Sequence, residues 1–179
     1  VARALLELGR LGAAAPHFSR CADVGDSEAI DALRSAVRQA EERESHREAL
    51  TILNALLDLL PAGDRRWLDV LEAMASEAEW VSDHRADEDA ETGIRAMREL
   101  ERLVEHSEDL VRRGMVQFRL SAFLAWGTGE LDAAERAGRR ASELLEATTE
   151  RRLALVARNE LSWISGLAGN LALQRAGAL

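Results

Sequence analysis

The sequence predicts an all-α protein, a right-handed α–α superhelix of stacked helical hairpins. Three observations predict it. Ala, Leu, Glu and Arg dominate, and only two prolines occur, Pro16 and Pro61; these are strong helix formers with few breakers. Apolar residues recur at helical spacing almost throughout, and no window sustains the period-two alternation of a strand. Finally, a small residue recurs at a near-constant interval: Ala49, Ala90 and Ala134, with Gln174 near a fourth equivalent, stand 41, 44 and 40 residues apart. Units of about 40 residues, two helices each, mark a solenoid, because a lone hairpin cannot bury its apolar face and must stack on its neighbours.

The elements follow in order. The first hairpin begins loosely around Leu33 to Ala40. Ser45 and Glu48 have the spacing of a capping box, and the helix they open carries Ala49, Leu53, Leu56 and Leu60 on one stripe. Pro61 ends it, Gly63 turns the chain and Asp64 caps the next helix, which carries Trp67, Leu71, Met74 and Ala78. After a polar break at 82–86, Ala90, Ile94, Met97 and Leu100 mark another helix. Ser107 is placed to cap the one after it, with Val111, Met115, Phe118 and Ala122 as its stripe. Gly127-Thr128-Gly129 reads as a turn, followed by Leu131, Ala134, Ala141 and Leu145. A last pair spans about 149–168 and 170–179, turning at Gly169.

Composition excludes several functions. All 23 basic residues are Arg, so the P-loop lysine, a Schiff base and a lysine general base are all ruled out. The net charge is −9, and the pairs Arg112-Arg113, Arg139-Arg140 and Arg151-Arg152 each lie among acids, which gives no basic footprint for nucleic acid. No run approaches the roughly 18 apolar residues of a membrane span, and no secretory leader is seen. Cys21 is the sole cysteine, which precludes an internal disulfide and fits a cytoplasmic setting. The chain opens on Val1 and stops within a helical pattern. It reads as one helical-repeat domain, 1–179, cut from a longer chain.

The stretch from Phe118 to Leu145 resembles a tetratricopeptide repeat. Ala122, Ala134 and Ala141 stand at the family's small positions and Gly129 at its turn, while Gly138 replaces a usual large aromatic. The interval is also longer than the family's 34 residues. The passages His46-Arg-Glu-Ala-Leu-Thr-Ile-Leu, Leu60-Pro-Ala-Gly-Asp-Arg-Arg-Trp67 and Phe123-Leu-Ala-Trp-Gly-Thr-Gly-Glu-Leu131 are similar to the helical-repeat region of large bacterial signalling ATPases. Those proteins add a nucleotide cyclase or a LuxR-type DNA-binding domain. The resemblance implies a protein-interaction or signal-sensing scaffold without chemistry of its own. Its partner would be a peptide, a protein or a neighbouring domain, including the ATPase or output domain of the same chain. It also implies a concave groove lined from the first helix of each hairpin. Carried over to this sequence, the groove comprises Arg34, Arg38, Arg119, Phe123, Trp126, Asn159 and Trp163. Aromatic anchors beside Arg and Asn donors suit an extended acidic peptide or its carboxylate.

Other readings compete. The simplest account of Trp67, Trp80, Trp126 and Trp163 is core filling between hairpins. His17 and Cys21, four apart, are two ligands where a zinc site needs three or four. The acidic stretch 83–91 is rich enough to suggest a divalent cation and an all-α metal-dependent enzyme, but it lacks the glycine of a calcium loop, and acids also favour a helix start. No metal or cofactor is assigned, and no catalytic residue is expected. All four histidines fall in polar, helix-boundary contexts. Self-association into a homodimer is a further reading, since uncapped solenoid ends pair readily.

Overall fold

The computed structural model describes residues 1–81 and 88–177, with side chains placed for 1–81 and 91–169. Among the described residues every regular element is helical, with no strand. They form two compact units, Val1–Val81 and Ser82–Leu179.

The first unit holds α1 (Ala2–Glu7), α2 (Leu11–Cys21), α3 (Ser27–Glu42), α4 (His46–Leu59) and α5 (Arg66–Val81). Helix α4 is its centre and packs against α2, α3 and α5. The sequence explains why. Apolar residues fall on more than one face of α4, and Ala49, Leu50, Ile52, Leu53, Ala55, Leu56 and Leu59 are all buried. Each large side chain so buried contributes about 1.5–3 kcal/mol, against roughly 1 kcal/mol for an N-cap. Packing therefore decides where this helix lies. The expected capping box does not form: Ser45 is the N-cap residue but makes no side-chain cap bond. Glu48 turns away instead, and its Oε1 accepts the Gly12 N–H of α2 at 2.7 Å. A Cβ on Gly12 would lie 3.0 Å from Glu48 Cγ, so the glycine admits the carboxylate to the helix start. The cap at Asp64 does form, accepting the Arg66 N–H at 2.9 Å.

The second unit holds α6 (Glu88–Val104), α7 (Leu110–Ala122), a π-helical turn (Phe123–Thr128), α8 (Leu131–Glu146) and α9 (Arg151–Gly177). Helix α8 packs against α7 and α9, and α6 against α7. The α7–α8 approach is close because small residues meet there. A Cβ on Gly114 would stand 2.6 Å from Leu145 Cγ, and one on Gly138 would stand 3.4 Å from Leu161 and 3.7 Å from Ser121. Gly138 thus lies where α8 is pressed from both sides.

Three sequence expectations change in this unit. Asp109, not Ser107, caps α7, accepting the Arg112 N–H; Ser107 accepts the Asp109 N–H in the turn before it. The stripe Val111, Met115, Phe118 and Ala122 is half-buried, its first three members packing against the core cluster of Ala141, Leu145 and Ala157, while Gly114, Val116, Gln117, Leu120 and Ser121 are the more deeply buried positions. Of the predicted glycine turn, Gly129 alone turns, with φ +73°, while Gly127 belongs to the π-helical segment.

Helix α9 overturns the last predicted hairpin. It is continuous for 27 residues, straight through Gly169. Gln174 therefore lies on the same helix as Asn159, with no second helix to hold a fourth repeat. A Cβ at Gly169 would meet nothing within 4 Å, so this glycine is an exposed helix position, not a turn. Ala49 and Ala134 are fully buried; the Ala90 side chain lies outside those described.

Candidate functional sites

Each unit carries its own candidate surface. In the first, α3, α4 and α5 enclose a cleft of about 360 Å³. Its floor is apolar, formed by Val37, Leu53, Leu56, Leu60, Val70 and Ala73. Its rim is charged, with Arg34, Arg38 and Arg66 beside Asp31, Glu41 and Asp69. The predicted pair Arg34 and Arg38 thus lines a real concavity, one turn apart on α3.

The rim charges differ in how they are held. Arg66 grips Asp64 with two bonds, Nε to Oδ1 at 3.0 Å and Nη2 to Oδ2 at 2.6 Å. These bonds and the Arg66 backbone N–H hold the Asp64 carboxyl well below its ordinary range, at about 2. Arg34 stands 4.0 Å from Asp31. The side chains of Arg38 and Glu41 make no hydrogen bond or ion pair with any described residue. Burial and then the neighbouring Glu77 carboxylate push the Glu41 carboxyl up, against the pull of Arg38.

Beyond the cleft edge lies a constellation that sequence reasoning missed. His46, the first residue of α4, donates from Nδ1 to Glu77 Oε2 at 2.8 Å, and its ring stacks on Trp80 at 5.5 Å between centroids. Glu77 is buried, so its carboxylate depends on such a partner. No spacing rule links residues 31 apart. The only signal was an acid on the apolar face of α5, at i+3 from Met74.

In the second unit the predicted residues separate. Phe123 is buried, 6% exposed, and cannot line a groove; the π-helical turn rolls its ring inward. Arg119 is half-buried. Trp126 is 41% exposed, and its indole N–H donates to Glu160 of α9 at 2.8 Å. Asn159 and Trp163, one turn apart on α9, line a shallow depression of about 370 Å³ with Ser162, Gly166 and Leu167. Trp163 is 69% exposed, and Leu155 and Val156 lie open on the same helix.

This chain matches no family model, no curated protein and no solved structure. The surfaces must therefore be read from their own chemistry. The tryptophan core reading fails for three of the four: Trp80, Trp126 and Trp163 are exposed, and only Trp67 is half-buried, its N–H toward Leu60 O at 3.4 Å. Among the described residues no three His, Cys, Asp or Glu are grouped to hold a metal. His17 sits within α2, not at a helix boundary, and Cys21 is exposed at the end of that helix. The acidic stretch 83–91, apart from the exposed Glu91, lies outside the described side chains. No helix among the described residues is long and apolar enough to cross a membrane.

Proposed function

We propose that this chain is an interaction and signal-sensing module of a bacterial regulatory protein, of the kind its helical-repeat passages resemble. It binds and does not catalyse. The hairpins continue as a right-handed superhelix, and the partner is a protein, a peptide or a neighbouring domain of the same chain. The observation that carries the reading is Trp163, largely exposed beside Asn159 on α9. An exposed indole offers a large apolar area for a partner to cover. Tryptophan is also among the commonest residues to dominate binding energy once buried at an interface.

The test is a display selection of peptides and protein domains against the purified chain. Clones from the selection are re-measured on Trp163→Ala and Trp126→Ala. Binders should lose about tenfold or more in Kd on Trp163→Ala, the scale of a hot-spot side chain, while the thermal melt of the variant stays unchanged. Binders indifferent to both tryptophans would sink the reading.

The exposed Leu155, Val156 and Trp163 on one helix favour a second reading, a homodimer through α9. Sedimentation across a concentration series decides it. Association abolished by Trp163→Ala supports the dimer, and a constant monomer mass removes it.

A further inference from the structure

The α3–α4–α5 cleft is a concavity of the first unit, and its size, chemistry and charge each narrow the occupant. Small-molecule sites begin at about 300 Å³, and the cleft holds about 360 Å³. An extended peptide needs partners for its amides, yet the lining contains no Asn, Gln, Ser or Thr. Nearly all of it lies within helices, whose backbone groups are already paired.

Charge narrows it further. Three arginines face three acids around the rim, so the lining as a whole favours neither an anion nor a cation. Within that balance Arg34 and Arg66 have carboxylate partners, and Asp31 has Arg34. Arg38 and Glu41 stand unpaired at i and i+3 on one wall, a spacing that puts their Cβ atoms about 5–6 Å apart. A ligand that satisfies both must carry an anion and a cation close together, with an apolar body to cover the leucine floor.

We infer that the cleft binds a free apolar α-amino acid, its carboxylate on Arg38, its ammonium on Glu41 and its side chain on Leu53, Leu56 and Val70. This rests on the sensing half of the proposed function. The ammonium also adds to the counter-charge of Arg38 at a carboxylate that burial and Glu77 disfavour.

The experiment is calorimetric titration and thermal melting of the whole chain with millimolar L-leucine, L-isoleucine and L-valine. Glycine, N-acetyl-leucine and leucinamide serve as probes lacking the side chain, the ammonium and the carboxylate respectively. The apolar amino acids should bind and raise Tm, as any ligand of the native state does, and each of the three probes should bind at least about tenfold more weakly. Arg38→Gln and Glu41→Gln should each abolish the response without changing the unliganded melt. Ala73→Leu, which fills the floor, should do the same and provides a check that leaves both charges in place. N-acetyl-leucine binding as well as leucine, or an unchanged Kd in Glu41→Gln, overturns the assignment. No binding by any amino acid overturns it too. In that case selected partners that still depend on Trp163 would leave the interaction module standing.

Discussion

Two acids show how a single side chain can be worth more, or something other, than its motif suggests. Glu48 sits where a capping box predicts a local bond, yet it reaches across 36 residues to the Gly12 N–H. It therefore ties α4 to the positive end of α2. Glu48→Ala should destabilise the first unit by about 1–3 kcal/mol, the cost of losing a hydrogen bond to a charged group. Glu48→Gln, which keeps an acceptor, should cost less. Urea melts of both variants check the order, and equal costs would mean the bond contributes nothing. Asp64 behaves differently. Its folded pKa is lowered from 3.8 to about 2 by Arg66, so the stability it contributes is complete above about pH 4. That contribution is lost as the pH falls through 2. Asp64→Asn should flatten this part of the acid limb, and chemical melts at pH 2 and pH 5 on both proteins measure it. Asp64 was legible in the sequence because Pro61 and Gly63 isolate it before an apolar run. Glu48 was not, because a capping box is a local pattern and cannot report a stronger acceptor site on another helix.

Glycine decides the second unit at the scale of whole helices, and it does so in opposite ways along the chain. Gly114 lets α7 approach α8 until a Cβ would overlap Leu145. Gly114→Ala should therefore cost about 1–3 kcal/mol through overpacking, despite the better helix propensity of alanine. Gly166 faces open space on α9, so Gly166→Ala should stabilise by roughly 0.5–1 kcal/mol. The pair is read in one set of thermal melts, and the opposite signs are the test, since propensity alone predicts a gain at both. The same contrast explains what could be read beforehand. The positions of α3, α4, α5 and α8 follow from apolar spacing and from real breakers such as Pro61. The Gly169 turn did not exist, because an exposed glycine within a helical pattern costs only about 1 kcal/mol against alanine. That is less than the burial of Ala157 and Ile164 on the same helix supplies. The deeper positions of α7 were missed by the same logic, since Gly114 and Ser121, which allow close approach, give no hydrophobic signal.

Across the molecule, apolar periodicity located the aliphatic core well and the aromatic residues badly. Leu33, Leu53, Leu71, Met97, Leu100 and Leu145 are essentially inaccessible, whereas three of four tryptophans lie at the surface. Burial is a one-way rule: cores are apolar, but apolar residues are not confined to cores. The place of Arg34 and Arg38 at a cleft rim was legible for a related reason. Arg34 and Arg38 are charged residues on the outer side of a well-formed stripe, so their exposure follows from the Leu33 and Val37 beside them. Phe123 failed because the π-helical turn shifts the register just where the count was taken from Gly129. Intrinsic fluorescence tests this distribution in the whole chain at once. With Trp80, Trp126 and Trp163 open to water and Trp67 half-sheltered, the native emission should lie close to that of the urea-unfolded chain. Acrylamide should quench most of it in the native state. Trp163→Phe should remove a readily quenched share and leave the far-ultraviolet helix signal intact. A native spectrum that is strongly blue-shifted, protected from acrylamide and red-shifting on unfolding would return the tryptophans to the core. The α9 surface would then lose the aromatic residue on which partner binding depends.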